Sequence, residues 1–499
     1  MKKRKLEQIL DVVNAKLLVS QLVKHLVQLE ISLARTKCYL SKERKAAYCS
    51  FFSVMGIHKF KLKEKYILLD INSSNVFEID ELISDLLDYY PKNGIGELSV
   101  LLKQKYSLKE IEAGVKEIDQ LICSNRLFCK EYEIDTSKLI RHGVKAMCLN
   151  VSHDCNLACE YCFASDNTVK REHMPIEVAK AAIDYLIENS PGRRNVEVDF
   201  FGGEPLMNFD VVKQTVEYAR VLEVQHKKNF RFTLTTNAVL LNDDVMQYVN
   251  ENMKNIVLSI DGRKKVNDLM RPFSNGASSY DIILPKIIKA VKQRENQDYF
   301  VRATFTANNL DFAEDVKSLA DLGLKNLSAE PVVTDPINSY AITEKHIEEV
   351  CLEYEKLMDL YLDYRGTENE FNFFHFNIDL DNGGCLYKRI SGCGAGCEYV
   401  AVDPKGDIYP CHQFVGNTDF HIGNVLNNEI KNVEVVNQFG KNNVINKQKC
   451  IECWAKFFCG GGCHANAYNM SGSIDADYEI GCEMHKKRLE CALYIKCSQ

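Results

Sequence analysis

The chain has 499 residues, of which 46% are hydrophobic and 26% charged; this composition is typical of a globular protein of several domains and excludes a largely disordered chain. A net charge of -7 gives no overall attraction to nucleic acid or to anionic membranes, so we expect neither as a partner. No stretch is apolar for long enough to span a bilayer or has the pattern of a secretory signal. The twenty cysteines are therefore predicted to be reduced thiols in the cytoplasm, where cysteine clusters indicate metal or redox ligands rather than disulfides.

Residues 1–54 differ from the rest of the chain. They open with a basic run at positions 2–5 and continue with apolar residues at helical spacing. Clear patterning starts at Met55, in the phrase Met-Gly-Ile-His-Lys-Phe. We therefore predict that residues 1–54 are an appendage or an upstream start of translation, with an amphipathic surface helix as the alternative.

Residues 55–135 are predicted to form a small separate domain. Two apolar runs, Tyr66–Ile71 and Val76–Ile79, flank turn-forming residues and indicate a β-hairpin. Three helices are predicted to follow, at Glu81–Tyr90, Glu97–Lys105 and Leu108–Asn125. A hairpin with three helices resembles a winged helix, but residues 78–88 are acidic, which argues against DNA binding. Capture of an extended peptide as an added strand fits better, and a docking domain without a ligand stays open.

Residues 144–335 alternate between strand and helix patterns and predict six β/α units. The strands are predicted at Ala146–Val151, Val196–Phe201, Phe230–Thr236, Asn255–Ile260, Tyr299–Thr306 and Asn326–Val333. The helices are predicted at Ile176–Glu188, Val211–Val224, Asp243–Asn252, Tyr280–Arg294 and Phe312–Leu322. Parallel strands joined by right-handed helical crossovers form an open sheet or a barrel, with the site at the carboxyl ends of the strands.

Three cysteines follow the first of these strands. Cys155, Cys159 and Cys162 are separated by three and then two residues. A 4Fe-4S cluster usually takes four thiolates, so this triplet predicts a cluster with one iron that lacks a protein ligand. The alternatives are a structural zinc with a distant fourth ligand, or three reduced cysteines that share a loop by chance.

Polar residues and glycines fall at the same end of the next four strands. They are Gly202, Gly203, Glu204 and Pro205 after the second strand, Thr235, Thr236 and Asn237 after the third, Ser259, Asp261 and Gly262 after the fourth, and Arg302 in the fifth. Each has a structural alternative, namely a turn, a helix cap or a charge pair within the barrel. Because all lie at the rim that carries the cysteine loop, together they predict a binding site.

These motifs resemble the radical S-adenosylmethionine (SAM) superfamily. The resemblance rests on Cys155-x3-Cys159-x2-Cys162 with Tyr161 before the last cysteine, on Gly202-Gly203-Glu204-Pro205 and on Ser259-Ile260-Asp261-Gly262. It implies a partial (β/α)6 TIM-like barrel and a cluster whose spare iron chelates SAM. It also implies that the reduced cluster cleaves SAM to a 5′-deoxyadenosyl radical that abstracts hydrogen from a substrate.

The same resemblance implies roles for the residues at the rim. Glu204 and the preceding glycines would meet the amino group of SAM, and Tyr161 would lie against its adenine. Ser259 and Asp261 would approach the ribose and methionyl groups, and Arg302 would be a further contact. No catalytic residue is predicted.

A second cysteine constellation follows a predicted helical linker at residues 336–384. Within residues 385–499, Cys393 and Cys411 flank Gly406, and later come Cys450-x2-Cys453-x5-Cys459-x3-Cys463 and Cys482. Seven cysteines exceed one zinc-ribbon site, and the arrangement resembles the SPASM domain, which carries two auxiliary 4Fe-4S clusters. By that resemblance Cys450, Cys453, Cys459 and Cys482 hold one cluster, and Cys393, Cys411 and Cys463 hold the other. The fourth ligand of the latter stays open between Cys385, Cys397 and a substrate thiolate.

The phrases around these cysteines are similar to maturases of six-cysteine (SCIFF) ranthipeptide precursors. The similar phrases are Gly392–Gly396, Glu398–Val402, Gly406–Gly416 and Cys453–Cys459, within a resemblance that covers Ile57–Cys497. It implies that residues 55–135 are a RiPP recognition element for the leader of a cysteine-rich precursor peptide. It also implies thioether cross-linking by a radical SAM oxidoreductase with three 4Fe-4S clusters, supplied with electrons by a donor such as a flavodoxin or ferredoxin. An anaerobic sulfatase maturase and a nonenzymatic metal-binding regulator are the alternatives.

Overall fold

A computed structural model describes residues 56–131, 143–165, 171–294, 297–380 and 386–498. The chain divides into two units, residues 1–55 and 56–499, of which only the second falls within these ranges. The predictions for residues 1–54, Met55 and Cys385 lie outside the described residues.

The described chain begins with a three-stranded antiparallel sheet in the order β1-β2-β3. Its strands are β1 (Ile57–Leu62), β2 (Lys65–Asp70) and β3 (Val76–Ile79). The β2–β3 pair is the predicted hairpin, whereas β1 is a strand that the sequence analysis missed. Three helices follow, α1 (Glu81–Leu87), α2 (Ile95–Leu101) and α3 (Leu108–Cys123). The capping box of α3 forms, because the Ser107 hydroxyl accepts from the Glu110 N–H and the Glu110 carboxylate accepts from the Ser107 N–H.

Six parallel strands form the centre of the second sheet, and they confirm the predicted α/β fold. The strands are β4 (Ala146–Ser152), β5 (Asn195–Gly202), β6 (Asn229–Thr236), β7 (Asn255–Ser259), β8 (Asp298–Phe305) and β9 (Asn326–Pro331). The helices between them are α4 (Ile176–Glu188), α5 (Phe209–His226), α6 (Asp243–Asn252), α7 (Lys264–Met270), α8 (Tyr280–Arg294) and α9 (Phe312–Asp321). Of these, only α7 has no counterpart among the predicted helices.

Alternate residues of these strands face the helices and form the core. In β5, for example, Val196, Val198 and Phe200 are buried while the intervening residues are more exposed. The register of β4 on β5 shifts between Asn150 and Ser152, directly before the cysteine loop. Such an irregularity bends a strand and redirects the chain that follows it.

Short strands extend the sheet at both edges to eleven strands. They are β10 (Asn372–Phe373) beside β9, and β11 (Tyr399–Val402), β12 (Asp407–Tyr409), β13 (Gly423–Asn424) and β14 (Glu429–Ile430) beyond β4. Strand β11 runs parallel to β4, and the last three strands are antiparallel. The predicted domain boundaries at residues 335 and 384 stay predictions, and a single sheet runs across both of them.

The remaining helices are α10 (Ile347–Tyr364), α11 (Leu386–Ser391), α12 (Val433–Lys441), α13 (Gln448–Ile451), α14 (Lys456–Cys459), α15 (His464–Ser471) and α16 (Glu479–Cys497). Helix α16 packs against α10 and against all three strands of the first sheet. One hydrophobic core accordingly runs from the first sheet to the last helix. Every helix in the described ranges is too short or too polar to cross a bilayer.

Candidate active site

The three cysteines of the first motif lie along one cavity at the carboxyl ends of the parallel strands. The cavity has a volume of about 160 Å³. Besides the triplet it is lined by Tyr161, Gly202, Gly203, Thr235, Thr236, Asn237, Ser259, Arg271, Arg302, Thr304, Glu330 and Gln413, among others. A larger and more open cleft of about 930 Å³ lies elsewhere, between residues 440–449 and residues 475–477, and is lined by none of the residues predicted for the site.

The backbone of the cysteine loop is held by the last residue of α7 and by Pro272, two residues further on. The Ala158 N–H donates to the Pro272 carbonyl at 2.8 Å, and the Glu160 N–H donates to the Met270 carbonyl at 2.9 Å. These bonds anchor the loop between Cys155 and Cys162 to a part of the barrel that is more than a hundred residues away in sequence.

The thiols of the triplet are close neighbours in a buried setting. Burial raises the pKa of Cys155 to about 12 and that of Cys159 to about 11, and neighbouring thiols of the triplet add to both shifts. The Cys155 sulfur accepts from the Leu157 N–H at 3.4 Å and from Asn237 Nδ2 at 3.5 Å. Donors of this kind stabilise a thiolate, which is the form that binds iron.

Gly202 and Gly203 bring the end of β5 against the cysteine loop. A Cβ atom on Gly202 would lie 2.1 Å from the Ser152 carbonyl oxygen, and one on Gly203 would lie 2.4 Å from that of Asp154. Gly202 also has a φ of +128°, a conformation that favours glycine. The two glycines line the cavity, and they also permit the close approach of β5 to the cysteine loop. The contact with SAM that the sequence predicts for them stays a prediction.

Glu204 is fully buried at the end of the second strand. Its carboxylate accepts from the Thr236 hydroxyl at 2.7 Å, from the Asn237 N–H at 2.8 Å and from the Leu206 N–H at 3.0 Å. Burial raises the pKa of Glu204 to about 6, and these donors oppose the rise. Pro205 is buried next to it and begins a short 3-10 turn. The geometry therefore joins the ends of the second and third strands through this carboxylate.

Tyr161, Asp261 and Arg271 form one buried polar group beside the triplet. The Tyr161 hydroxyl donates to Asp261 Oδ2 at 2.6 Å, and Arg271 Nη1 donates to the Tyr161 oxygen at 2.9 Å. The other Asp261 oxygen accepts from the Thr304 N–H at 3.0 Å. Tyr161 and Ser259 line the cavity, and Asp261 holds the Tyr161 hydroxyl through this hydrogen bond. The SAM contacts predicted for these residues stay predictions.

Two further charged residues line the cavity but were missed in the sequence. Arg271 follows α7, a helix that was not predicted, so no strand-end signal marked it. Glu330 is the last residue but one of β9 and could have been found by the rule used for the other strands. Its carboxylate lies 2.9 Å from His375 Nε2. Burial favours its neutral form, but His375 and Arg302 outweigh burial and lower the pKa of Glu330 to about 2.

The thiols of one set of cysteines that the SPASM resemblance grouped interact electrostatically. Burial raises the pKa of Cys411 far above the usual thiol range, and the nearby thiols of Cys463 and Cys393 add to the rise. The Cys397 thiol donates to the Val436 carbonyl at 3.4 Å and sits against Gly440. Of the two chain residues that stayed open as a fourth ligand, Cys397 thus points into α12, and Cys385 lies outside the described residues.

The other predicted set consists of Cys450, Cys453, Cys459 and Cys482, the last of which lies in α16. Burial raises the pKa of Cys482 to about 12, with contributions from the thiols of Cys459, Cys453 and Cys450. Cys482 lies in α16, and the other three lie in or beside α13 and α14. Thus the Cys482 thiol is near enough to these three thiols for an electrostatic interaction, although it lies on a helix later in the sequence.

Two of the residues that line the cavity, Arg271 and Gln413, have a polar atom that the described residues leave unsatisfied. Arg271 Nε and Gln413 Oε1 are buried, and neither has a hydrogen-bond partner in the ranges that the structure describes. A buried polar atom without a partner is costly. Three thiols for a cluster, together with an unsatisfied donor and acceptor, therefore fit an iron-sulfur cluster with a polar ligand beside it.

Two family models match these regions of the chain. Residues 149–292 match the radical SAM superfamily, and residues 393–454 match an iron-sulfur cluster-binding domain, SPASM. The first match includes the triplet and the rim of β4 to β7. The second begins at Cys393 and includes Cys411, Cys450 and Cys453.

Individual proteins of several activities are similar to the chain. An uncharacterised protein of Methanocaldococcus jannaschii is 32% identical over 37% of this chain, an alignment that spans only 62% of that protein. A cysteine-type anaerobic sulfatase-maturating enzyme of Clostridium novyi is 25% identical over 63% of this chain and 86% of its own. Among solved structures, native anSMEcpe with bound AdoMet superposes with a TM-score of 0.58 at 20% identity, covering 71% of this chain and 99% of that one. Another structure, with a TM-score of 0.57, contains anSMEcpe with both AdoMet and a Cp18Cys peptide.

The site and these matches define an enzyme with the α/β radical SAM fold and a C-terminal SPASM iron-sulfur domain. They favour the enzyme over the nonenzymatic regulator that the sequence left as an alternative, and they support SAM and iron-sulfur clusters as its cofactors.

Proposed function

We propose that this enzyme installs thioether cross-links in a cysteine-rich, ribosomally synthesised precursor peptide. One observation carries the proposal: the loop that contains Cys411 enters the same cavity as the Cys155 triplet, because Gln413 lines that cavity. A substrate in the cavity would therefore lie between a cluster that binds SAM and an auxiliary cluster. The relatives that modify proteins and the peptide bound in the anSMEcpe structure support a peptide or protein substrate.

In this proposal Cys155, Cys159 and Cys162 hold the first 4Fe-4S cluster. Bound together, this cluster and SAM supply the radical that removes a hydrogen atom from the substrate. The chain contributes a rigid frame for SAM, since Asn237 and the glycines of β5 hold the cysteine loop. Tyr161, fixed by Asp261 and Arg271, provides one wall, and Ser259 and Arg302 provide polar contacts.

In the same proposal Cys393, Cys411 and Cys463 would hold an auxiliary cluster with one iron left for a substrate thiolate. Cys450, Cys453, Cys459 and Cys482 would hold the other auxiliary cluster. The Cys397 thiol is turned into α12, and this position supports a cluster with one iron that lacks a protein ligand. Metal coordination acidifies a thiol, so this iron favours the reactive thiolate. Each cross-link makes one C–S bond and removes one C–H and one S–H hydrogen. The carbon would lose a hydrogen atom to the SAM-derived 5′-deoxyadenosyl radical, which becomes deoxyadenosine, and the thiol would lose a proton to solvent. Joining the carbon radical to the thiolate would release one electron, and the auxiliary cluster would be its acceptor.

The first sheet is the proposed site for the leader of the precursor. In the order β1-β2-β3, the outer strands β1 and β3 each pair with β2 on one side only within the described residues. The edge of such a strand offers main-chain donors and acceptors that an extended peptide can pair with. The leader would bind there while the core peptide enters the cavity.

The test is a reaction of the reconstituted enzyme under anaerobic conditions. The enzyme, SAM and a reductant are incubated with the precursor encoded by a short cysteine-rich reading frame beside the gene. We expect deoxyadenosine together with a peptide that has lost two hydrogens per cross-link. Each cross-link should also remove one thiol that iodoacetamide could otherwise alkylate. Deoxyadenosine release without any change in peptide mass would refute the proposed reaction.

Sulfatase maturation is the second candidate, because the Clostridium novyi maturase aligns over most of its own length. That reaction oxidises one cysteine or serine of a protein substrate. The two candidates differ in the product: a thioether keeps every sulfur atom of the peptide, whereas oxidation of cysteine to an aldehyde removes one. Mass spectrometry of a cysteine-containing sulfatase peptide, incubated in parallel, separates them.

A further inference from the structure

Gln413 connects the auxiliary cysteines to the cavity of the SAM triplet. It stands two residues after Cys411, next to His412, and it lines the cavity. The sequence analysis gave this residue no role of its own, because it stood within the phrase Gly406–Gly416 and belonged to no ligand or strand-end pattern.

The residue before Gln413 is fixed by aromatic packing. The His412 ring lies 5.4 Å from the Phe163 ring and 5.2 Å from the Phe201 ring, measured between centroids. His412 Nδ1 also forms a hydrogen bond of 3.0 Å with the Tyr399 hydroxyl. His412 is therefore already engaged by the protein on several sides.

The residue after Gln413, Phe414, is fixed by a different set of aromatic side chains. Phe414 is only 2% exposed and packs against Phe420 at 4.4 Å, Phe439 at 5.4 Å and Tyr468 at 5.8 Å between ring centroids. With both neighbours anchored, the backbone at Gln413 has little freedom. Its side chain is thus presented to the cavity in a preorganised way.

The Gln413 side chain has unused hydrogen-bonding capacity. Its Oε1 atom is buried and has no partner among the residues that the structure describes. A glutamine amide contains one acceptor oxygen and two N–H donors, and this pattern is complementary to a peptide group. A bound peptide amide would satisfy the buried oxygen.

We propose that Gln413 binds a backbone amide of the peptide substrate and so positions the substrate between the SAM site and the auxiliary cluster. The inference rests on the proposed function, since it assumes a peptide in this cavity. A peptide is favoured over SAM as the occupant because Gln413 belongs to the loop of Cys411. The proposed SAM contacts Tyr161 and Ser259 belong to other elements, beside the triplet.

The experiment compares the Gln413→Met and Gln413→Glu variants with the wild-type holoenzyme. Methionine keeps the length of the side chain and removes both polar atoms, while glutamate keeps an acceptor oxygen. Gln214→Leu is the control, because Gln214 is exposed on α5. For each protein we measure binding of the synthetic precursor by fluorescence anisotropy, binding of SAM by equilibrium dialysis, and the EPR spectrum of the reduced clusters.

We expect Q413M to weaken precursor binding about 10-fold, the effect of leaving one buried hydrogen bond unmade. Binding of SAM and the EPR spectrum should match those of the wild type, and Q413E should bind the precursor better than Q413M does. A scan of N-methylated precursors adds a second readout. One methylated position should weaken binding to the wild type and cause no further loss in Q413M.

Unchanged precursor affinity in Q413M would overturn the inference. A loss of SAM binding with normal precursor binding would also overturn it, because the contact would then belong to SAM. If Q413M fails to keep its clusters, Q413E and the N-methyl scan on the wild type decide the question. Precursor binding without cross-linking by the wild type would refute the proposed function and leave this inference standing.

Discussion

At the scale of single residues, Glu204 is a buried carboxylate that acts by holding other groups in place. It accepts hydrogen bonds from residues at the end of β6 and from the turn after β5. One of its donors, Asn237, in turn contacts the Cys155 sulfur with its side chain. A substitution of Glu204 should therefore also displace Asn237 and weaken its contact with the Cys155 sulfur.

We expect Glu204→Gln to destabilise the holoenzyme by about 1–3 kcal/mol, because the new amide would face N–H and O–H donors with a donor of its own. SAM binding should weaken as well. Anaerobic denaturant unfolding and equilibrium dialysis measure the two effects, with Glu217→Gln on α5 as the control. A variant with wild-type stability and SAM affinity would contradict the role given to Glu204.

Asp199 on β5 predicts a pH dependence of stability. Its carboxylate accepts from the Thr235 hydroxyl at 3.1 Å, and burial raises the pKa of Asp199 to about 7. An acid whose pKa is higher in the folded state binds protons on folding, so its contribution to stability falls as the pH rises from about 4 through 7. We expect the free energy of unfolding of Asp199→Asn, relative to wild type, to increase between pH 5 and pH 8. The exposed control Asp210→Asn should show no such trend.

Cys397 and Cys411 offer a direct test of the auxiliary ligands. Cys397 bonds to the backbone of α12, whereas Cys411 lies with Cys393 and Cys463. We expect Cys397→Ala to keep the iron content of the wild type and Cys411→Ala to lose the iron of one cluster. Iron and sulfide analysis after reconstitution checks both. If Cys397→Ala also lost the iron of a cluster, Cys397 would be assigned as the fourth ligand.

At the scale of elements, Glu398 joins the last third of the chain to the barrel. It precedes β11, and its carboxylate contacts Lys145 at 2.9 Å and Arg193 at 2.6 Å. Its carbonyl accepts from the N–H groups of Lys145 and Ala146, where β11 begins to pair with β4. Burial opposes its charge, but the two cations outweigh burial and lower the pKa of Glu398.

Glu398→Gln should lower the free energy of unfolding by about 1–2 kcal/mol, because two partly buried cations lose their counter-charge. The control is Asp298→Asn, whose partner Lys254 is mostly exposed, and there we expect less than about 1 kcal/mol. Anaerobic denaturant unfolding measures both. Equal effects at the two sites would show that Glu398 is no more than a surface ion pair.

At the scale of the whole molecule, the first sheet packs against the region that contains the auxiliary cysteines. The His58 ring stacks on Trp454, with centroids 3.8 Å apart and planes 2° apart. His58 Nε2 also lies 3.2 Å from a carboxylate oxygen of Glu490 on α16. Trp454 follows Cys453 directly in the sequence. The proposed leader site and one cluster site therefore belong to one packed body.

This arrangement predicts that leader and core contribute separately to substrate binding. We expect the leader alone to bind the holoenzyme, and the core without its leader to bind at least about 10-fold more weakly than the complete precursor. Fluorescence anisotropy with labelled peptides measures this, and a scrambled leader is the control. Equal binding of the core and the complete precursor would contradict a leader site on the first sheet.

The sequence by itself determined the local features of this protein. The six parallel strands were predicted to within two residues at each end, because alternating and apolar runs identify strands of this length. The close spacing of Cys155, Cys159 and Cys162 indicated a shared site, since a short loop keeps its side chains near one another. In contrast, strands of two or three residues, such as β12 and β13, are too short for any periodic signal.

Only the tertiary structure decided which distant groups meet and which way they point. It placed Arg271 and Gln413 at the cavity, joined Asp261 to the Tyr161 hydroxyl and turned the Cys397 thiol into α12. The physical reason is that these positions follow from packing between elements far apart in the chain. Sequence periodicity reports only which face of an element is buried; the partners that cover that face are set by the assembled fold.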